Sequence, residues 1–160
     1  PALLWAKGFS LSEIGQVAAV YPAVWGIAQL ATGPLADRFS ARNLIALGML
    51  VQALALATMP WLDSPAAWTA ASAVLGLGTA LVYPTFLSAV AEWTHPSDRA
   101  TALGIFRFWR DLGYAVGALL VGGIAATTSA QAGILTVAGL TLASGLLVAV
   151  RMPTRTNFSK

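Results

Sequence analysis

Arg107, Arg110 and Asp111 stand at i, i+3 and i+4, so a helix carrying them would show all three on one face. The residues that follow, from Leu112 through a Gly-rich stretch, carry no charge over the length of a membrane crossing. Arg110 follows Arg99 by roughly 16 Å of helix at 1.5 Å per residue, which reaches about the middle of a 30 Å hydrocarbon layer. A charge at that depth costs about 2.5–3.5 kcal/mol on insertion scales, so such a face must point at other helices or at a wet cavity. Three chemistries fit. Arginine attracts an anion, and Asp111 can carry a proton if burial raises its pKa. The same groups can form a structural ion network, with Arg107 and Asp111 partly neutralising each other. Arg107 can also snorkel to the headgroups.

Other polar groups lie within apolar surroundings. Tyr21 and Trp25 share one apolar stretch and Tyr83 lies in another; all three either line a cavity or fill a core. Gln29 and Gln52 are amides that can bridge helices, and Gly76, Gly78, Gly113, Gly117, Gly122 and Gly123 allow close helix approach. There is no cysteine and a single histidine, His95, which precedes a proline in a short polar loop. Disulfides, thiolate metal sites and cysteine nucleophiles are therefore excluded, and no pair of histidine ligands exists. Neither a catalytic constellation nor a metal or cofactor site is expected.

The elements that must position these groups follow from composition. The chain has 160 residues, 58% hydrophobic and 9% charged, with a mean hydropathy of +0.74. Soluble domains carry about 25% charged residues, so too few charges are present to cover a water-soluble globule. A soluble enzyme, a nucleic-acid binder and a disordered tail all fit poorly, and nucleic acid is not an expected partner. Residues 14–36, 43–62, 64–91 and 112–150 lack Asp, Glu, Lys, Arg and His. The last stretch is too long for one crossing and is broken at residues 127–131 by Thr, Ser and Gln. The expected fold is all-α, a polytopic transmembrane bundle in one membrane domain over 1–160. Its five spans are expected at 12–36, 42–62, 65–91, 98–126 and 131–151, followed by a cytoplasmic tail, 152–160. Ser10 and Glu13 form a capping box, Ser64 precedes a proline at the first helical position, and Ser129 can cap the fifth helix. Pro22 and Pro84 fall inside spans, where membrane neighbours tolerate them, and suggest kinks. Five of the tryptophans, Trp25, Trp61, Trp68, Trp93 and Trp109, fall mostly near span ends, as in an interfacial belt.

Orientation follows from the cations. Arg38, Arg42, Arg99, Arg151, Arg155 and Lys160 lie on one side against Lys7 on the other, six to one with Arg107 and Arg110 left out as intramembrane. The positive-inside rule puts the first and third loops and the C-terminus in the cytoplasm. Five spans then leave Pro1 outside with no signal peptide before it. We expect at least one helix upstream, with residues 1–5 as its outer end.

The loop Gly33-Pro-Leu-Ala-Asp37-Arg38-Phe-Ser-Ala-Arg42 resembles the Gly-x-Leu-Ala-Asp-Arg-x-Gly-x-Arg-Arg signature of the major facilitator superfamily. Gly33, Leu35, Ala36, Asp37, Arg38 and Arg42 match; Ser40 and Asn43 depart. Read from the residues, Gly33 permits close approach where the first span ends. Asp37 is an anion suited to a helix N-terminus, and Arg38 and Arg42 can pair with it or with lipid phosphates. The resemblance implies a latch for the inward-closed state. A second stretch, Arg110-Asp111-Leu-Gly-Tyr114 leading into glycines, resembles the eleventh helix of many bacterial members. It implies the C-terminal half of a transporter, with the five helices here as the last five of six. The first, third and fourth of them would then line the central path.

The resemblance implies a secondary transporter that moves a small solute, with or without protons, by alternating access. Its partners would be membrane lipid and the N-terminal half of the same protein, and its site a multi-pass position in the plasma membrane. A different reading is a truncated module that assembles with or regulates another membrane protein. A membrane-embedded enzyme lacks any matching constellation. Substrate, direction and coupling ion stay open at this point.

Overall fold

In a computed structural model the described residues are 2–153, with backbone alone at Ala36 and Asp37. The chain is a bundle of α-helices: α1 (Ala2–Ala6), α2 (Leu11–Arg38), α3 (Ala41–Thr58), α4 (Pro65–Glu92), α5 (Arg99–Thr127) and α6 (Ala130–Arg151), with a 3-10 turn (Met59–Trp61) after α3. Among the described residues there is no strand. The helix starts are locally encoded. Ser10 accepts from the Glu13 amide while Glu13 reaches back to the Ser10 amide, and the hydroxyls of Ser64 and Ser129 accept from Ala67 and Ala132. The helices α2 and α4 continue through Pro22 and Pro84. Beside Pro84, the buried Thr85 hydroxyl donates to the Leu81 carbonyl.

Four helical segments are long and apolar enough to cross a bilayer: Leu11–Leu35, Ala41–Trp61, Pro65–Glu92 and Ala130–Arg151. The expected count of five is thereby corrected. The helix α5 has the length, but four charged residues, Arg99, Arg107, Arg110 and Asp111, stand in its first half.

Close contacts set the helix order. A Cβ on Gly76 would stand 2.7 Å from the Tyr21 carbonyl oxygen, and one on Gly78 would stand 2.8 Å from the Gly48 carbonyl oxygen. These two glycines lie on opposite sides of α4, so α4 is clasped by α2 on one side and α3 on the other. Gly145 of α6 meets Met49 of α3 in the same manner, and Gly133 of α6 meets Val121 of α5. The expectation of close approach thus holds at Gly76 and Gly78. At Gly33, Gly113, Gly117, Gly122 and Gly123 a Cβ would meet nothing within 4 Å among the described residues. The reason is placement: these five glycines lie away from the helix–helix seams.

A hydrophobic cluster of Leu4, Phe9, Ile14, Val17, Met59, Trp68 and Ala71 closes the end of the bundle at the α1–α2 and α3–α4 turns. Trp68 is a core residue there rather than a belt residue: it is buried, and its Nε1 donates to the Leu62 carbonyl at 2.8 Å. Trp5, Trp61, Trp93 and Trp109 are more than half exposed. Lys7 and Asp63 join the same two turns in a 2.6 Å ion pair. By contrast α5 has no buried residue and packs on α6 and, more sparsely, on α4.

Candidate functional site

Tyr21 and Trp25 stand one turn apart on α2, and Tyr83 faces them from α4. The Tyr21 and Trp25 rings stack at 6.2 Å, and Trp25 meets Tyr83 edge to face at 5.8 Å. The close backbone approach at Gly76 brings these two helices together at this height. Behind the aromatic row, the Tyr21 hydroxyl lies 3.3 Å from Thr79 Oγ1, which lies 3.2 Å from Gln52 Oε1 on α3; Gln52 Nε2 donates to the Gly48 carbonyl. Gln52 thus bridges helices, and through Thr79 it ties the aromatic wall to α3.

Arg110 approaches this row from α5. Its Nη1 donates to the Tyr83 hydroxyl at 2.7 Å, and its guanidinium carbon lies 5.4 Å from the centre of the Tyr83 ring. Nε donates to Asp111 Oδ1 at 2.8 Å, and Nη2 lies 2.8 Å from the same oxygen in an ion pair. The Arg110 side chain is 27% exposed and that of Asp111 61%. Asp111 is therefore held by Arg110, its chain neighbour, rather than by Arg107. Arg107 is exposed and has no ion-pair partner among the described residues. The i, i+4 spacing permitted the Arg107 pairing, but Arg110 turns toward Tyr83 and carries the carboxylate with it. Trp25 Nε1 is buried without a hydrogen-bond partner among the described residues.

These five side chains, Tyr21, Trp25, Tyr83, Arg110 and Asp111, form one continuous row across α2, α4 and α5. Its Arg110 end joins a fixed cation to a carboxylate that faces outward, a pairing that can exchange partners with a small anion; the burial on which proton carriage by Asp111 depends is absent among the described residues. Thr79 and Gln52 are members of the network that connect it to α3. The role of Thr79 has no sequence signature, because a threonine inside an apolar helix normally bonds its own backbone, as Thr79 also does to Leu75. Among the described residues no three His, Cys, Asp or Glu side chains gather as a metal site would need.

The loop constellation lies at the far end of α2. Gly33 and Arg38 are exposed within the helix, and the side chain of Asp37 lies outside the described residues. Arg42 Nε donates to Asn43 Oδ1 at 3.4 Å. Ser40, at a glycine position of the signature, has φ −64° and ψ 137° and caps α3 by accepting from the Asn43 amide. That backbone needs no glycine, so the departure is locally compatible with the turn. Arg155 and Lys160, counted in the charge asymmetry, lie outside the described residues. Arg99 Nε donates to the Ala91 carbonyl near the end of α4, and His95 Nδ1 lies 2.9 Å from Ser97 Oγ in the same loop.

The family model of the Major Facilitator Superfamily matches residues 1–159. A probable anion transporter 4, chloroplastic, of Arabidopsis thaliana is 32% identical over 120 residues, covering 72% of this chain and 21% of that protein. A probable L-galactonate transporter of Escherichia coli (strain K12) is 30% identical over 109 residues, covering 68% of this chain and 24% of its own length. A multidrug resistance protein MdtH of Yersinia pestis (strain Pestoides F) is 31% identical over 117 residues, covering 69% of this chain and 29% of its own length. The chain thus spans less than a third of each of these relatives.

Proposed function

The chain belongs to the major facilitator superfamily, and from that premise we propose that it supplies much of the C-terminal half of a secondary transporter that moves a small solute by alternating access. It is a multi-pass membrane protein of a transporter family. In this reading residues 1–160 act as one membrane unit and partner an N-terminal half of the same transporter. It sits in the plasma membrane with the Arg38, Arg99 and C-terminal ends in the cytoplasm. Gly33, Asp37, Arg38 and Arg42 serve as the cytoplasmic latch. Tyr21, Trp25 and Tyr83 line the solute path; Arg110 and Asp111 form its charged station, and Arg107 snorkels toward the headgroups.

The observation that carries the proposal is Arg110 clasped between Tyr83 and Asp111 on the α4–α5 seam. A cation held in place by an aromatic hydroxyl and by an exposed carboxylate, between helices that line the path in this reading, is suited to a solute that bears negative charge. Release of Asp111 frees the guanidinium for a solute carboxylate, and Asp111 is the candidate for linking that release to protons. Two of the relatives carry names of anion and sugar-acid transporters, which fits a small organic anion as solute.

The test is uptake by proteoliposomes holding the full natural polypeptide, with labelled sugar acids and small carboxylates and an imposed proton gradient. Arg110→Ala is expected to lower uptake at least tenfold with the protein still monodisperse. Asp111→Asn is expected to retain solute exchange but lose acceleration by the gradient. If proton-driven uptake survives both changes, the charged station is not part of the path.

A further inference from the structure

A groove of about 430 Å³ opens between the end of α4, the start of α5 and the end of α6, beginning one helical turn beyond Tyr83 and Arg110 and containing neither. Phe86 and Phe106 meet at 5.9 Å between centroids in its wall, Leu147 forms one side, and Trp93, Arg151 and Met152 are also part of the lining. None of the lining residues is acidic. Arg151 is exposed and has no ion-pair partner among the described residues. The surface of α6 next to it is apolar: Leu146, Leu147 and Val150 are more than half exposed.

We propose that this groove is a binding site for an anionic phospholipid, with an acyl chain along Phe86, Phe106 and Leu147 and the headgroup phosphate on Arg151. Each part of the ligand answers a part of the site. The walls offer carbon to a hydrocarbon chain. The cation at the rim has no counter-ion among the described residues and takes a phosphate, and Trp93 stands at headgroup level, where its amphipathic ring is favoured. The apolar outer face of α6 leads into the groove, so a chain reaches it from within the bilayer without crossing water. This end of the bundle also carries Arg38, Arg42 and Arg99, which adds a field attractive to anionic headgroups.

The test uses the full natural polypeptide in neutral detergent, with native mass spectrometry after addition of dioleoyl phosphatidylglycerol or dioleoyl phosphatidylcholine. The wild type is expected to retain phosphatidylglycerol preferentially. Arg151→Gln should weaken phosphatidylglycerol retention about fivefold, the effect of one cation near an anionic surface, and Arg151→Lys should restore most of it. Leu147→Trp, a change at an exposed rim position, should reduce retention of both lipids by filling the groove. An unchanged phosphatidylglycerol preference in Arg151→Gln overturns the proposal. So does loss of the preference in Arg151→Gln with full retention in Leu147→Trp, which would mark a surface charge effect outside the groove.

Discussion

The helices α4 and α5 have nearly equal length and opposite company. On α4, Gly76 and Gly78 admit the backbones of α2 and α3 to within distances at which no side chain fits, and Trp68, Ser72, Thr85 and Ala89 are buried. On α5 no residue is buried, and its glycines at 104, 113, 117, 122 and 123 touch nothing nearby. The charged residues sit on the second kind of helix. Tight packing among helices excludes wet, adaptable polar groups, because each buried charge must be fully partnered. A helix held on one side only can carry Arg110 and Asp111 at an open face. Cohesion and chemistry are thus divided between neighbours, and Arg110–Tyr83 is where they touch.

That division can be broken experimentally. The largest effect is expected at the packed end: Trp68→Ala removes a buried indole and its bond to Leu62, and should lower stability by about 3 kcal/mol in denaturant titration of the micellar protein. Next, Gly78→Ala forces a methyl group toward the Gly48 carbonyl and should cost about 1–3 kcal/mol. Gly113→Ala on α5 should be neutral or stabilising by up to about 1 kcal/mol; equal losses at the two glycines would erase the contrast. Tyr83→Phe keeps the ring and removes the hydroxyl that positions Arg110. It should lower stability by about 1 kcal/mol or less but reduce solute uptake several-fold, and an unchanged rate would detach α4 from the charged station. The smallest effect is expected for Lys7→Met, which breaks a pair with a largely exposed Asp63. A loss below about 1 kcal/mol, shrinking further at high salt, is the expected thermal-shift result.

What could be read from the residues follows the range of the forces involved. Capping is local, so Ser10, Ser64 and Ser129 announce their helices. Ser40 does the same for α3, at a position where the family signature has glycine. The all-α membrane class follows from apolar runs longer than a soluble helix needs. The side-chain partners do not. The i, i+4 spacing favours Arg107 as the partner of Asp111, yet Arg110 takes it, and that choice goes with Tyr83, distant in sequence and delivered by the packing of α4. Trp68 likewise stands at a span end, where a belt residue would, yet a turn at Leu62 folds over it. Glycine spacing alone did not separate the seams at Gly76 and Gly78 from the open positions on α5, because which face of a helix meets a neighbour is a property of the assembled bundle.

The two glycines of α4 also bear on motion. A seam in which a carbonyl oxygen occupies the place of a side chain has no room to slide by a fraction of a turn, and two such seams on opposite sides of one helix leave it no axis to rotate about. The three helices α2, α3 and α4 should therefore travel as one rigid body. Any rearrangement during a working cycle falls on the looser joints around α5. Spin labels on α2 and α4 should keep one distance under every condition, while a pair on α4 and α5 is where a second distance would appear.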